Sequence, residues 1–293
     1  MNVMKLREPL AIIVALGLTI TARPLAAQEK PYEPVVGQSG KDVVWVPTSP
    51  ALVEKMLDMA QVTRQDIVMD LGSGDGRNVI ASARRGATAI GVEFNPEMVA
   101  LSNRLAKEAG VADKATFIEG DMYTADISKA TVMALFLLPD NLRKLRDKFM
   151  DLRPGSRLVL NTFAIPEWEA DVRETLEGSD CTSWCTSLLY YVPARIGGTW
   201  KTPQGELTLT QTFQNVTGTL TTGGKTVNVT GKLRGEHVTL SAGGTELTGR
   251  VSGDRIEGGN WSAVRADPAV WEADRAPTAR ASAGPADCEQ EAR

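Results

Sequence analysis

Residues 66–76 read Asp66-Ile-Val-Met-Asp-Leu-Gly-Ser-Gly-Asp-Gly76, and an acid, Glu93, follows further along the chain. Ile67 to Leu71 is a short, largely apolar run bounded by turn formers, the pattern of a strand buried in a parallel sheet. Gly72, Gly74 and Gly76 allow a tight turn and let backbone approach a ligand where a Cβ would intrude. Arg77 to Arg85 is helix-compatible and starts directly after the turn. Ala87 to Val92 is a second apolar run, and it ends in Glu93. A carboxylate at the end of a second parallel strand can accept two hydrogen bonds from a ribose diol. Strand, loop, helix, strand and acid in this order describe a nucleotide-like pocket.

The dinucleotide fingerprint spaces its glycines G-x-G-x-x-G. Here the third glycine comes one residue early, and Asp70 precedes the first. A carboxylate beside the loop would repel a pyrophosphate, but it suits a ligand with a cationic end, such as the amino group and sulfonium of S-adenosylmethionine. In these residues the sequence resembles the class I methyltransferases, whose glycine-rich motif and strand-two acid match Asp70 to Gly76 and Glu93. The resemblance implies that Asp70 orients the cofactor ammonium and that Gly72, Ser73, Gly74 and Gly76 form the loop at its methionine part. It implies that Glu93 takes the ribose hydroxyls. After a third strand, Asp121 would accept from the adenine amino group, with Met122 against the ring.

The remainder of the chain supports an α/β fold. Pro50 to Met59 reads as a helix capped by Ser49. Further strands are expected at Ala115 to Glu119, Thr131 to Leu138 and Arg157 to Phe163. Helices are expected at Pro96 to Ala109, Asn141 to Asp151 and Pro166 to Leu176. Strands alternating with helices imply crossovers and a doubly wound, Rossmann-like parallel sheet. Residues 199–248 then hold fourteen threonines in alternating patterns such as Thr226-Val-Asn-Val-Thr230, punctuated by glycines. They read as a small antiparallel all-β domain, a meander that closes partly or curves. The expected organisation is a signal peptide at 1–27, an N-terminal lid segment at 28–48 and the cofactor-binding domain at 49–180. The β-domain then spans 187–264, with a tail at 265–293 of little apolar content.

The acceptor side is less specific. The fourth strand ends in Leu137-Leu138-Pro139-Asp140, unlike the Asn-Pro-Pro-Tyr pattern of amide-nitrogen and adenine methyltransferases. Tyr32 to Pro50, the Asp70 to Arg77 loop, Gly120-Asp-Met and Phe136-Leu-Leu-Pro139 together are similar to bacterial relatives of the mitochondrial lysine methyltransferases that modify an inner-membrane carrier and the c-ring protein of ATP synthase. That resemblance, over about residues 31–168, implies a protein lysine or a small amine as acceptor. Asp140 and Tyr123 are the candidates for the acceptor side, against plainer roles as a helix N-cap and as packing. The competing function is an exported ligand-binding module with a non-catalytic methyltransferase-like domain.

Lys5 and Arg7 precede an apolar stretch from Leu10 to about Ile20, and Leu25-Ala26-Ala27 offers a cleavage site. This is the layout of a secretory signal, so an exported protein is expected, with an uncleaved membrane anchor as the alternative. Cleavage removes three cations (Lys5, Arg7, Arg23) and one acid (Glu8), taking the net charge from −4 to −6. Such an acidic chain without basic runs is a poor nucleic-acid binder. In an oxidising compartment Cys181 and Cys185 could close a small loop, leaving Cys288 unpaired. A single histidine, His237, argues against a metal site and against Ser-His-Asp chemistry.

Overall fold

The structure, a computed structural model, describes residues 32–178 and 180–267 together with Met1. The expected signal segment and, from residue 268 on, the expected tail lie outside the described residues. Among the described residues no helix is long and apolar enough to cross a membrane.

Five strands form the parallel part of a seven-stranded sheet: β1 (Ile67–Leu71), β2 (Thr88–Glu93), β3 (Ala115–Glu119), β4 (Val132–Leu135) and β5 (Arg157–Asn161). Four helices accompany them: α1 (Pro50–Met59), α2 (Arg77–Arg84), α3 (Pro96–Glu108) and α4 (Pro139–Met150). β1 is central, so residues alternate between two apolar layers. Val68, Val132 and Val159 pack with Leu52, Met56, Val79 and Ala106 from α1, α2 and α3. Met69, Met133, Leu158 and Leu160 pack with Leu142, Leu145 and Phe149 of α4 on the other face. Ser49 caps α1 as expected, accepting from the Leu52 N–H at 3.2 Å.

The sheet is mixed rather than wholly parallel. The segment expected as a helix from Pro166 to Leu176 instead forms β6 (Val172–Thr175). It pairs antiparallel with β7 (Thr186–Tyr191), which pairs antiparallel with β5, giving the order β3-β2-β1-β4-β5-β7-β6. Val172, Glu174 and Leu176 fit a period of two as well as a helical period, and over so few residues only the tertiary partner decides. That partner is β7: Val172 sits opposite Leu189, and the Asp171 carboxylate accepts the Tyr191 N–H at 2.8 Å. The same pairing moves the start of the β-domain from 187 to Gly198.

That domain is a fully closed eight-stranded barrel rather than a small meander. Its strands are β8 (Gly198–Thr202), β9 (Gly205–Thr212), β10 (Asn215–Thr222), β11 (Lys225–Arg234), β12 (His237–Ala242), β13 (Thr245–Ser252), β14 (Arg255–Gly258) and β15 (Ser262–Arg265). Each pairs with the next, and β15 returns to β8, so no edge is left open. Val229, Val238 and Leu240 face the interior as the alternation requires. Val227, beside the Gly223-Gly224 turn, stays 37% exposed. Arg265, assigned to the tail from sequence, belongs to the barrel: its guanidinium lies 4.3 Å from the Trp200 ring centre and donates to the Gly197 carbonyl at 2.7 Å.

The barrel rests on the α/β sheet through an aromatic joint. Trp168, 2% exposed, stacks on Phe213 at 5.5 Å and meets Tyr190 edge-on at 5.4 Å. Gln214 donates to the Glu169 carbonyl at 2.7 Å, and the Ala194 N–H to the Gly235 carbonyl at 2.8 Å. Trp168→Ala empties a site shared by both parts and is expected to lower stability by about 3–5 kcal/mol. Thermal unfolding measures this. Cofactor affinity in the surviving folded fraction should stay within about twofold, a difference of about 0.4 kcal/mol.

Candidate functional site

The Asp70–Gly76 loop lies where parallel strands leave the sheet, and its shape is set by backbone bonds across to β2. The Gly72 and Ser73 N–H groups both donate to the Val92 carbonyl, at 2.8 and 3.1 Å. The Gly74 N–H donates to Glu93 Oε2 at 2.9 Å, while Glu93 Oε1 accepts from the Asn95 N–H at 3.0 Å. Gly74 has φ 56°, and a Cβ there would come 2.7 Å from Trp45 Nε1. Gly76 has φ 79° and closes against Phe117, where a Cβ would come 2.6 Å from the ring. Gly74 therefore shapes the ligand side of the loop, and Gly76 lets α2 pack under it.

This loop forms one wall of a cleft with about 890 Å³ of empty space, the open solvent at its mouth included. Asp70, Gly72, Ser73, Gly74, Glu93, Asp121 and Met122 all line it; Gly76, Tyr123 and Asp140 do not. Val92, Met122 and Phe136 supply apolar surface. All lining residues lie between Gln38 and Phe136, so the barrel contributes none.

Asp70 is the unusual group. It is 3% exposed, and among the described residues its one side-chain partner is Asn78, whose Nδ2 donates to Asp70 Oδ2 at 3.1 Å. Burial drives its carboxyl well above the usual range, the Asn78 bond opposes this, and the nearby charges of Glu93 and Asp75 add to it. Two more buried atoms beside it, Ser73 Oγ and Asn78 Oδ1, lack partners. A buried carboxylate with unpaired acceptors around it fits a ligand bearing an ammonium group. A ribose diol fits the remaining acceptor capacity of Glu93. These residues therefore suit S-adenosylmethionine.

The segment from Gln38 to Thr48 covers the cleft. Trp45 lies over Gly74, Arg77 donates to the Thr48 carbonyl, and Asn161 donates to Thr48 Oγ1 at 3.1 Å. Lys41 binds Asp121 Oδ2 at 2.6 Å and sits 4.8 Å from the Phe94 ring centre. The Lys41 hydrogen bond, with a second from the Tyr123 N–H, holds the Asp121 carboxyl below its usual range. Lys41, Asn78 and Phe94 were not singled out from sequence. Lys41 meets Asp121 across 80 positions, and nothing local marks such a pair.

The two acceptor-side candidates sit beside the cleft rather than in it. Asp140 lies in the first turn of α4, its side chain 83% exposed and bonded to Arg143 at 2.5 Å. Leu138, not Asp140, holds the cap position. Asp140 lines a second hollow with Asn141 and Lys144, which shares Asp42 with the first cleft. The Tyr123 hydroxyl accepts from Asn141 Nδ2 at 2.8 Å behind that hollow. Among the described residues no group of His, Cys, Asp and Glu could hold a metal ion.

With fold and cleft in hand, the class of protein is defined: this is an S-adenosylmethionine-dependent methyltransferase. Its residues 70–172 match the ANTKMT methyltransferase domain. A protein-lysine N-methyltransferase of Saccharolobus islandicus is 36% identical, the match covering 51% of this chain and 94% of that protein. A mouse adenine nucleotide translocase lysine N-methyltransferase is 34% identical, over 47% of this chain and 60% of its own. A solved structure described as an RNA methyltransferase from Salinibacter ruber with S-adenosyl-L-homocysteine is 42% identical, covering 52% of this chain and 96% of that one, with a TM-score of 0.48. By its match along nearly all of the Saccharolobus protein, the chain belongs to the same methyltransferase family as that protein. Nothing supports the alternative of a non-catalytic binding module.

Asp70→Asn separates stability from binding. A raised folded pKa means that Asp70's contribution to stability is present below its unfolded value of about 3.9 and is lost as pH rises toward the folded value. The variant should therefore be more stable than the parent at neutral pH. It should also bind S-adenosylmethionine more weakly by about 1.5–3 kcal/mol, the scale of a hydrogen bond to a charged group. Thermal melts across pH and calorimetry measure the two effects, and parent-like affinity would refute the placement of the ammonium.

Proposed function

We propose that the enzyme methylates an amine nitrogen, in the first place the side chain of a protein lysine. The observation that carries this reading is the 36% identity to a protein-lysine N-methyltransferase along 94% of that protein's length. Two features of the site agree with it. Asp42 lines both the cleft and the hollow at Asp140 and so joins the two into one path for a long side chain. The exit of β4 carries Phe136 and no Asn-Pro-Pro-Tyr sequence.

S-adenosylmethionine, when bound, supplies the methyl group on a sulfonium. In this reading Asp70 holds its ammonium, Glu93 its ribose, and Met122 and Asp121 its adenine end, with Gly72, Ser73 and Gly74 as the close wall. Trp45 and the segment around it exclude water from above, while Phe136 bounds the acceptor side. Positioning and dehydration are most of what methyl transfer requires of a protein. A lysine must also shed its proton before it can act as a nucleophile, and Asp42 and Asp140 are the carboxylates nearest that approach, with Tyr123 behind them.

We further propose that the chain is exported after cleavage near Ala27. The signal-like layout of residues 1–27 supports this, as does the Cys181–Cys185 disulfide, a bond suited to an oxidising compartment. The barrel is read as structural, since it adds nothing to the cleft lining.

Incubation with S-adenosylmethionine and lysine-containing peptides, followed by mass spectrometry, should show added methyl groups on the lysine nitrogen. Unmodified peptides alongside a methylated oxygen or carbon acceptor would overturn the amine reading. N-terminal sequencing of protein from its own host should begin at Gln28 or very near it, and recovery of intact Met1 in membranes would overturn export.

A further inference from the structure

Five aromatic rings among the described residues carry an internal cation: Lys41 on Phe94, Lys144 on Tyr123, Arg146 on Phe213, Arg234 on Tyr191 and Arg265 on Trp200. A further cluster, joined to the cleft through Phe136, has none. Phe136 leaves β4 and lines the cleft. Phe163, just past β5, stacks on it at 6.1 Å and 18°. Trp184 lies 6.2 Å from Phe136, tilted at 57°.

Trp184 is held there in an unusual way. It lies inside the loop that the Cys181–Cys185 disulfide closes, between β6 and β7. Its backbone φ is 54°, a conformation that costs a bulky side chain energy and persists only where the surroundings impose it. Thr162, whose N–H donates to the Thr186 carbonyl at 2.7 Å, has φ 57° and a buried, unpartnered hydroxyl. Two left-handed non-glycine residues thus lie just past β5 and just before β7, close to Phe136. Despite this fixing, 46% of Trp184 is exposed, whereas Trp168 and Trp200 are buried.

We propose that Phe136, Phe163 and Trp184 form the acceptor subsite, and that it receives the alkylammonium head of the methyl acceptor, including its methylated forms. The inference deepens the amine reading and rests on it. Aromatic faces carry negative quadrupole density and attract such cations, most strongly when water is excluded. The carboxylate of Asp42 on the cleft wall has the matching sign. Phe136 and Phe163 lie within residues 70–172, which match the family domain, and Trp184 lies just beyond them. The disulfide is a positioning element: it fixes the loop that presents the indole.

Fluorine NMR of the fluorotryptophan-labelled full enzyme tests the subsite, with the Trp184 resonance identified by its loss in Trp184→Phe. Choline should shift that resonance, and its uncharged carbon isostere should not. Trp184→Ala should raise the KM for a lysine peptide about three- to tenfold while the S-adenosylmethionine Kd stays unchanged. The Cys181→Ser/Cys185→Ser double variant should do the same with Trp184 still present. No shift with choline, an equal shift with the isostere, or an unchanged peptide KM in Trp184→Ala overturns the subsite. A choline-specific shift in an enzyme that methylates no amine supports the subsite and refutes the amine reading instead.

Discussion

The buried carboxylate of Asp70 is the constraint around which the cleft is organised. It sits at the end of the central strand, removed from water, with a single amide as its partner. A charge in that position is unfavourable until a cation reaches it. The cation of the neighbouring loop, Arg77, is paired with Asp75, and the charges of Glu93 and Asp75 repel a second negative charge. In the proposed reading, a ligand ammonium relieves this state of Asp70. Glu93, the covering segment and the apolar floor of Met122 and Val92 then determine which cationic ligand fits.

The scaffold that fixes this carboxylate is stabilised far from it. At the opposite end of β1, Asp66 accepts from Thr63 and Thr131 and pairs with Arg157, tying together the starts of β1, β4 and β5. Burial alone would raise the Asp66 carboxyl, but the Thr63, Thr131 and Arg157 contacts outweigh it and hold it low, so this contribution is lost only as the solution becomes acidic. The two ends thus treat their carboxylates oppositely. Asp66 has a guanidinium partner and supports the fold, whereas Asp70 has an amide partner and, in the proposed reading, serves the ligand. The barrel acts at a third place, pressing Phe213 onto Trp168 beneath the β5–β7 edge. It does so without lining the cleft.

Local chemistry made much of this legible in sequence. The β1 loop, Glu93 at the end of β2, and the caps and prolines of α1 and α3 are short-range signals, and each element lies within about two residues of its expected bounds. Asp70, Glu93, Asp121 and Met122 reach one cleft because the order of parallel strands brings their ends together. What was hidden depends on distant partners. The stretch around Val172 became a strand only because β7 lay beside it. Lys41 on Asp121, Trp45 over Gly74 and Trp184 on Phe136 are contacts between segments whose spacing carries no period. Asp140 was placed near the chemistry by its position after β4. That same position puts it in the first turn of α4, where its side chain points to solvent and Arg143.

Proton counting on ligand binding tests the central claim most directly. Calorimetry of S-adenosylhomocysteine binding, repeated in buffers of different ionisation enthalpy, reports the protons released per ligand bound. If the free protein keeps Asp70 protonated by burial and the ligand ammonium draws it into its charged form, binding below the raised pKa releases close to one proton. The release disappears in Asp70→Asn. Tight binding with no proton release at any pH, or the same release in Asp70→Asn, would contradict the account.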